Sequence, residues 1–83
     1  MLNISTINVQ AFWDDEAQVW VASSDDVPGL VTEAETMELL LDKLRRLIPE
    51  LLQANGLLDK DEQMDIPLNL LSRREEVIKT GLH

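Results

Sequence analysis

Residues 19–52 read VWVASSDDVPGLVTEAETMELLLDKLRRLIPELL, and the order of signals in that stretch decides the architecture. Val19, Trp20 and Val21 favour an extended backbone and open a short strand that runs to Ser23. Asp25, Asp26, Val27, Pro28 and Gly29 then make a turn. Pro28 presets φ and Gly29 tolerates a positive φ, which is the type II arrangement. A short third strand follows over residues 30–33. Thr36 is placed as an N-cap, its hydroxyl accepting a backbone N–H that the first helical turn leaves unpaired. Apolar side chains at 37, 40, 41, 44, 47, 48 and 51 then recur at helical spacing. Leu39 and Leu52 lie off that stripe and are available for a subunit contact. Glu33, Glu35 and Glu38 sit near the positive end of the helix dipole, and Lys43, Arg45 and Arg46 lie further along. Pro49 deletes the bond to the Arg45 carbonyl and bends the helix. The leucine stripe continues past it, so one bent helix is expected. Asn55-Gly56 stops that helix, with Leu57 returning toward Leu52 in a Schellman closure.

Working outward, residues 4–13 (ISTINVQAFW) alternate as a half-buried strand does. The polar residues 14–17 break the alternation, and the short gap before Val19 implies a hairpin. Pairing Trp13 with Val19 gathers Ile7, Val9, Ala11, Trp13, Val19 and Val21 on the core side. Phe12 and Trp20 then meet on the opposite face. A register shifted by one residue would turn Trp20 inward and Val19 and Val21 outward; the first is preferred because it collects the β-branched residues. Past the helix, residues 57–63 form a charged connector and residues 65–71 a fourth strand. Pro67 cannot donate a ladder bond, which puts it at a sheet edge or a strand start. The segment from residue 72 onward either extends that strand or turns helical. The expected fold class is α+β: a small antiparallel sheet with one helix packed on one face, in the order β-β-β-α-β, as a single domain over residues 1–83.

Composition narrows the function. Eighty-three residues make one small core, and small domains without disulfides or metals often gain stability by self-association. The chain has no cysteine, which removes disulfides and thiolate metal sites. No leader-like segment and no apolar run of membrane-spanning length is present, so a cytoplasmic protein without membrane contact is expected. The net charge of −9 is unevenly placed. Residues 1–42 contain nine acids (Asp14, Asp15, Glu16, Asp25, Asp26, Glu33, Glu35, Glu38, Asp42) and no Lys or Arg. Nucleic acids are held by clustered cations, so direct nucleic-acid binding by this half is not expected. A basic protein partner suits it better.

With the run WDDEAQVWVASSDDVPGL, the TEAET before the helix, LIPELL and the Asn-Gly stop in view, the chain resembles the HicB-like antitoxin superfamily. It is most similar to a short bacterial family of uncharacterised domains grouped there. The resemblance implies a truncated ribonuclease-H-like sheet that has lost nuclease function. It also implies a role like that of the antitoxin members, which bind a small basic mRNA-cleaving toxin and cover its catalytic histidine. Many of those antitoxins add a C-terminal helix-turn-helix or ribbon-helix-helix for operator binding. Only 27 residues follow Gly56 here and they read as a strand and a tail, so operator binding is not expected.

No catalytic constellation stands out. Asp14, Asp15, Glu16, Asp25 and Asp26 could in principle gather carboxylates around Mg²⁺ as a residual nuclease would, but all lie in turns, where Asp serves local hydrogen bonding. His83 is the single histidine and the last residue, a poor place to hold a general base. The three glycines form no phosphate-cradling loop. The expectation is therefore a non-enzymatic, dimeric protein-binding domain without cofactor or metal. Its contact residues would be Phe12, Trp20, Asp14, Asp15, Asp25 and Asp26, with the acidic turns crowded at one end of the scaffold. A purely structural oligomerisation module and a residual Mg²⁺-dependent nuclease are the alternatives.

Overall fold

The computed structural model describes residues 6–61 and 63–81. Its elements are β1 (Ile7–Asp14), β2 (Val19–Ser23), β3 (Val31–Ala34), α1 (Met37–Ala54) and β4 (Leu68–Arg73). The first two residues of the strand expected over 4–13, and the terminal His83, lie outside the described residues. The strands form one open sheet in the order β3-β2-β1-β4, with α1 packed on one face, so the β-β-β-α-β order stands. One pairing differs from the all-antiparallel sheet anticipated: β4 runs parallel to β1. The helix is the cause. Two hairpins leave β3 parallel to β1, and a single helical crossover carries the chain back to the end where β3 began. The next strand must then run in the direction of β3 and β1.

The hairpin register is the second correction. Trp13 pairs with Trp20, Phe12 with Val21 and Asp14 with Val19, so Trp20 points to the helix side and Val21 away from it. Turn chemistry outweighs the clustering of β-branched residues here. Asp14 Oδ1 accepts the backbone N–H groups of Glu16 (3.1 Å) and Ala17 (3.2 Å). Gln18 takes a left-handed conformation with φ 59° and donates its N–H to the Asp14 carbonyl at 2.8 Å. The loop closes over residues 15–18, and the pairing is fixed from that point inward.

The second turn forms as its residues require. Leu30 N–H donates to Val27 O at 3.1 Å, and Gly29 sits at φ 85°, the conformation that type II demands at its third residue.

On the helix side, Ala11, Ala22 and Ala34 give a low floor into which Leu40, Leu44, Ile48 and Leu52 pack, all of them buried. Ile7, Val9, Val27, Leu30 and Leu58 close the core around them. Leu52 thus belongs to the buried stripe, one i+4 step beyond Ile48, and is not free for a subunit contact. Leu39 stays exposed. The helix runs unbroken across Pro49. Its C-terminus ends in the expected closure: Leu57 N–H donates to Leu52 O (2.8 Å) and Gly56 N–H to Gln53 O (3.1 Å), with Gly56 at φ 71°.

At the other end, Thr36 Oγ1 accepts the Leu39 N–H at 3.1 Å. Thr36→Ala should lose about 1 kcal/mol of stability, read as a shifted urea midpoint at constant slope; an unmoved midpoint would mean the cap contributes nothing.

The fourth strand begins just after Pro67, whose carbonyl accepts the Ile7 N–H at 2.8 Å. That places Pro67 at the strand start on an edge, as its missing donor requires. Beyond Arg73 the chain continues in an extended, exposed form, neither helical nor paired.

Candidate functional site

The alternation of the strands sorts the side chains into two faces. The helix side of the sheet carries the core. The other side is uncovered among the described residues and presents a mixed surface. Phe12 (50% exposed), Val31 (74%) and Leu71 (57%) are its large apolar members. Phe12 lies between Val21 on β2 and Arg73 on β4, and Val21 in turn neighbours Glu33 on β3. In the next row, Gln10 lies between Ser23 and Leu71, and Ser23 neighbours Val31. Asn8 and Asn69 join at the far end, where Asn69 Nδ2 donates to Asn8 Oδ1 at 3.1 Å. The face is thus an apolar strip bordered by amides, with a cation on one flank and an anion on the other.

The residues singled out from sequence do not assemble into one site. Phe12 is on the open face as expected. Trp20 is on the helix side, edge-to-face with Trp13 at 5.5 Å between ring centroids and packed against the core. Arg74 also lies over the Trp13 ring, its guanidinium carbon 4.3 Å from the centroid, a cation–π contact. The acidic turns do not crowd one end. Asp14 and Asp15 are in the β1–β2 turn, whereas Asp25 and Asp26 are in the β2–β3 turn, at the opposite end of the sheet. Five residues of β2 separate them, about 17 Å of extended chain. Carboxylates from both turns therefore cannot share one ion.

Several of these acids already have structural roles. Asp14 braces its own turn, as described. Asp26 Oδ2 accepts the Asn8 N–H at 2.8 Å, tying the β2–β3 turn to β1. Beside it Ser24 donates its hydroxyl to Asn8 O and accepts the Asp26 N–H. Asp15 Oδ1 receives the Trp13 indole N–H at 3.3 Å and a Gln18 amide N–H at 3.2 Å. Asp25 is exposed. Among the described residues no group of three or more His, Asp or Glu side chains is placed to hold a metal ion. No helix among them is long and apolar enough to cross a membrane.

Sequence reading misses Leu71 and Val31, and it takes the Arg73-Arg74 pair as a solvated face or a subunit contact without placing Arg74 on Trp13. For Leu71 a signal was available: Leu70 and Leu71 are adjacent, and adjacent strand residues face opposite sides, so one of them had to emerge on the open face. Arg74 reaches Trp13 only because β4 pairs parallel to β1, which composition does not reveal.

The molecule is thus a small α+β domain: a four-stranded mixed sheet, one face under a single helix and the other bare. The chain belongs to the family described as Domain of unknown function (DUF1902), whose model matches residues 6–79. It is similar to a hypothetical protein of the extremely thermophilic bacterium Thermus thermophilus, known from its crystal structure. The identity is 51%, covering 89% of this chain and 100% of that one, with a TM-score of 0.73. No curated protein matches the chain.

Proposed function

We propose that this chain is a non-enzymatic binding domain that holds a small basic protein against its bare sheet face, in the manner of the HicB-like antitoxins it resembles. The observation that carries the reading is the face itself. Three strands present Phe12, Leu71 and Val31 to solvent on one surface, and apolar exposure concentrated in this way marks interaction sites. Charge supplies the preference for a basic partner: the net charge is −9, and the first 42 residues have no cation. Because the acidic turns lie at both ends of β2, they border the apolar strip instead of forming a pole. Such a frame would steer a cationic surface onto the strip. A catalytic reading has less to stand on, since the carboxylates of Asp14 and Asp26 are committed to backbone amides. A cytoplasmic location accompanies this proposal.

The test is capture from extract of the native host at low ionic strength, with the whole chain as bait. A small basic protein should be retained, and Phe12→Asp, which alters an exposed side chain, should abolish its retention. Substituting both Glu16→Lys and Asp25→Lys should slow association several-fold while leaving dissociation nearly unchanged. Asp26 is a poor probe because its carboxylate braces the β2–β3 turn. Retention that survives Phe12→Asp, or no basic protein retained at all, would sink the proposal.

A further inference from the structure

Beyond Arg74, whose guanidinium still lies over Trp13, the chain runs on outside the packed core. Residues 74–81 are exposed at every position, with Val77 88% and Ile78 86% accessible. The molecule measures 62 Å along its longest axis against 21 and 18 Å across. Its radius of gyration of 15.9 Å exceeds the roughly 12 Å expected for a compact chain of this length. The arm belongs to the family's pattern, since the matching model extends to residue 79. Two adjacent β-branched residues held fully in water on an extended arm call for a covering surface.

The fourth strand offers one. It is an edge strand with three leucines in six residues: Leu68 and Leu70 face the helix side, and Leu71 faces the bare side between Asn69 and Arg73, as their pairing with β1 requires. Edge strands usually block further pairing with a charge, a proline or a bulge; here Pro67 precedes the strand and the first charge is Arg73 at its end. A groove of about 340 Å³ beside β4, lined by Leu44, Ile48, Pro49, Met64, Ile66 and Leu68 among others, leaves the helix side of this edge open as well.

We infer that two copies of the chain join edge to edge, β4 of each pairing antiparallel with the arm of the other about a two-fold axis at Arg74. This register follows from side-chain chemistry. It sets Leu71 opposite Val77 of the second copy on the bare face, and Leu70 opposite Ile78 of the second copy on the helix side. Each apolar arm residue thereby meets an apolar strand residue. It also sets Arg73 opposite Glu75 of the second copy. Within one chain Arg73 is already paired with Glu75, and Arg74 with Glu76, so these side chains lie two apart on common faces, as an extended strand needs. The Arg74 side chain at the axis is drawn onto Trp13, which keeps the two guanidinium groups apart. A self-complementary contact of this kind closes on itself and does not propagate. It does not depend on the proposed basic partner.

The test uses the intact chain. Its mass in solution, by light scattering at micromolar to hundred-micromolar concentration, should be twice the 9.4 kDa of the monomer. Val77→Asp combined with Ile78→Asp should yield a monomer with unchanged far-ultraviolet circular dichroism, because both side chains are almost wholly exposed in the single chain. The chain contains no cysteine, so Arg74→Cys introduces a single thiol at the axis. Directly opposed strand residues lie about 4.5–5.5 Å apart at Cα, within disulfide reach, and the oxidised variant should run as a covalent dimer. A monomeric parent chain, a dimer that survives the double substitution, or an Arg74→Cys variant that stays uncross-linked would each overturn the inference.

Discussion

Leu40→Ala is expected to lower the unfolding free energy by about 2–5 kcal/mol, the range for emptying a fully buried leucine site. Leu40 has no exposed surface and sits on the alanine floor, where Ala22 and Ala34 have no longer side chains to collapse into the void. A chain of 83 residues has a total stability of about 4–12 kcal/mol at the usual range per residue. The substitution therefore removes a large share of it. Chemical denaturation followed by circular dichroism should show a sharply lowered midpoint, or a chain already partly unfolded in buffer. A loss below about 1 kcal/mol would place Leu40 outside the core and displace the helix from the position described.

The second large effect separates the two hairpin registers. Trp20→Ala should destabilise the domain by about 2–3 kcal/mol, somewhat below the range for a completely buried indole, because Trp20 is half-buried. Phe12→Ala should change stability by less than about 1 kcal/mol, since half of that ring is already in water and little apolar burial is lost. The ordering matters more than either value. If Phe12 proved the costlier truncation, the strand would have to be turned over and Trp20 would become a surface residue. Indole fluorescence gives an independent reading, because Trp20 in contact with the core should emit at shorter wavelength than it would on an open face.

Those two results bear on how much of the molecule the sequence made legible. Local signals were strong where one residue type has one conformational use. Gly29 and Gly56 marked their turns, Thr36 its cap, and the leucines a helix that continues through Pro49. The hairpin register was not legible, because two patterns competed. Grouping Val19 and Val21 inward was a packing argument, while Asp14 and Gln18 set the loop through specific hydrogen bonds. The loop chemistry decided it. Strand direction failed for a different reason. That β4 is parallel to β1 follows from two hairpins and a crossover taken together, a property of topology that no window of sequence contains. The candidate surface suffered from both. Phe12 is legible as a surface residue, whereas clustering the β-branched residues puts Trp20 on the wrong face. The two acidic turns looked like neighbours in the chain, although the length of β2 holds them apart.

The pairing of Asn8 with Asn69 has a consequence for how the chain comes together. Those partners stand 61 positions apart, whereas β1, β2 and β3 find one another through two tight bends. During synthesis the three-stranded meander and its helical cover can therefore assemble while the final stretch is still inside the ribosome. Until that stretch emerges, the outer rim of β1 has no companion, and the nascent domain has a vacancy that only its own last strand is shaped to fill.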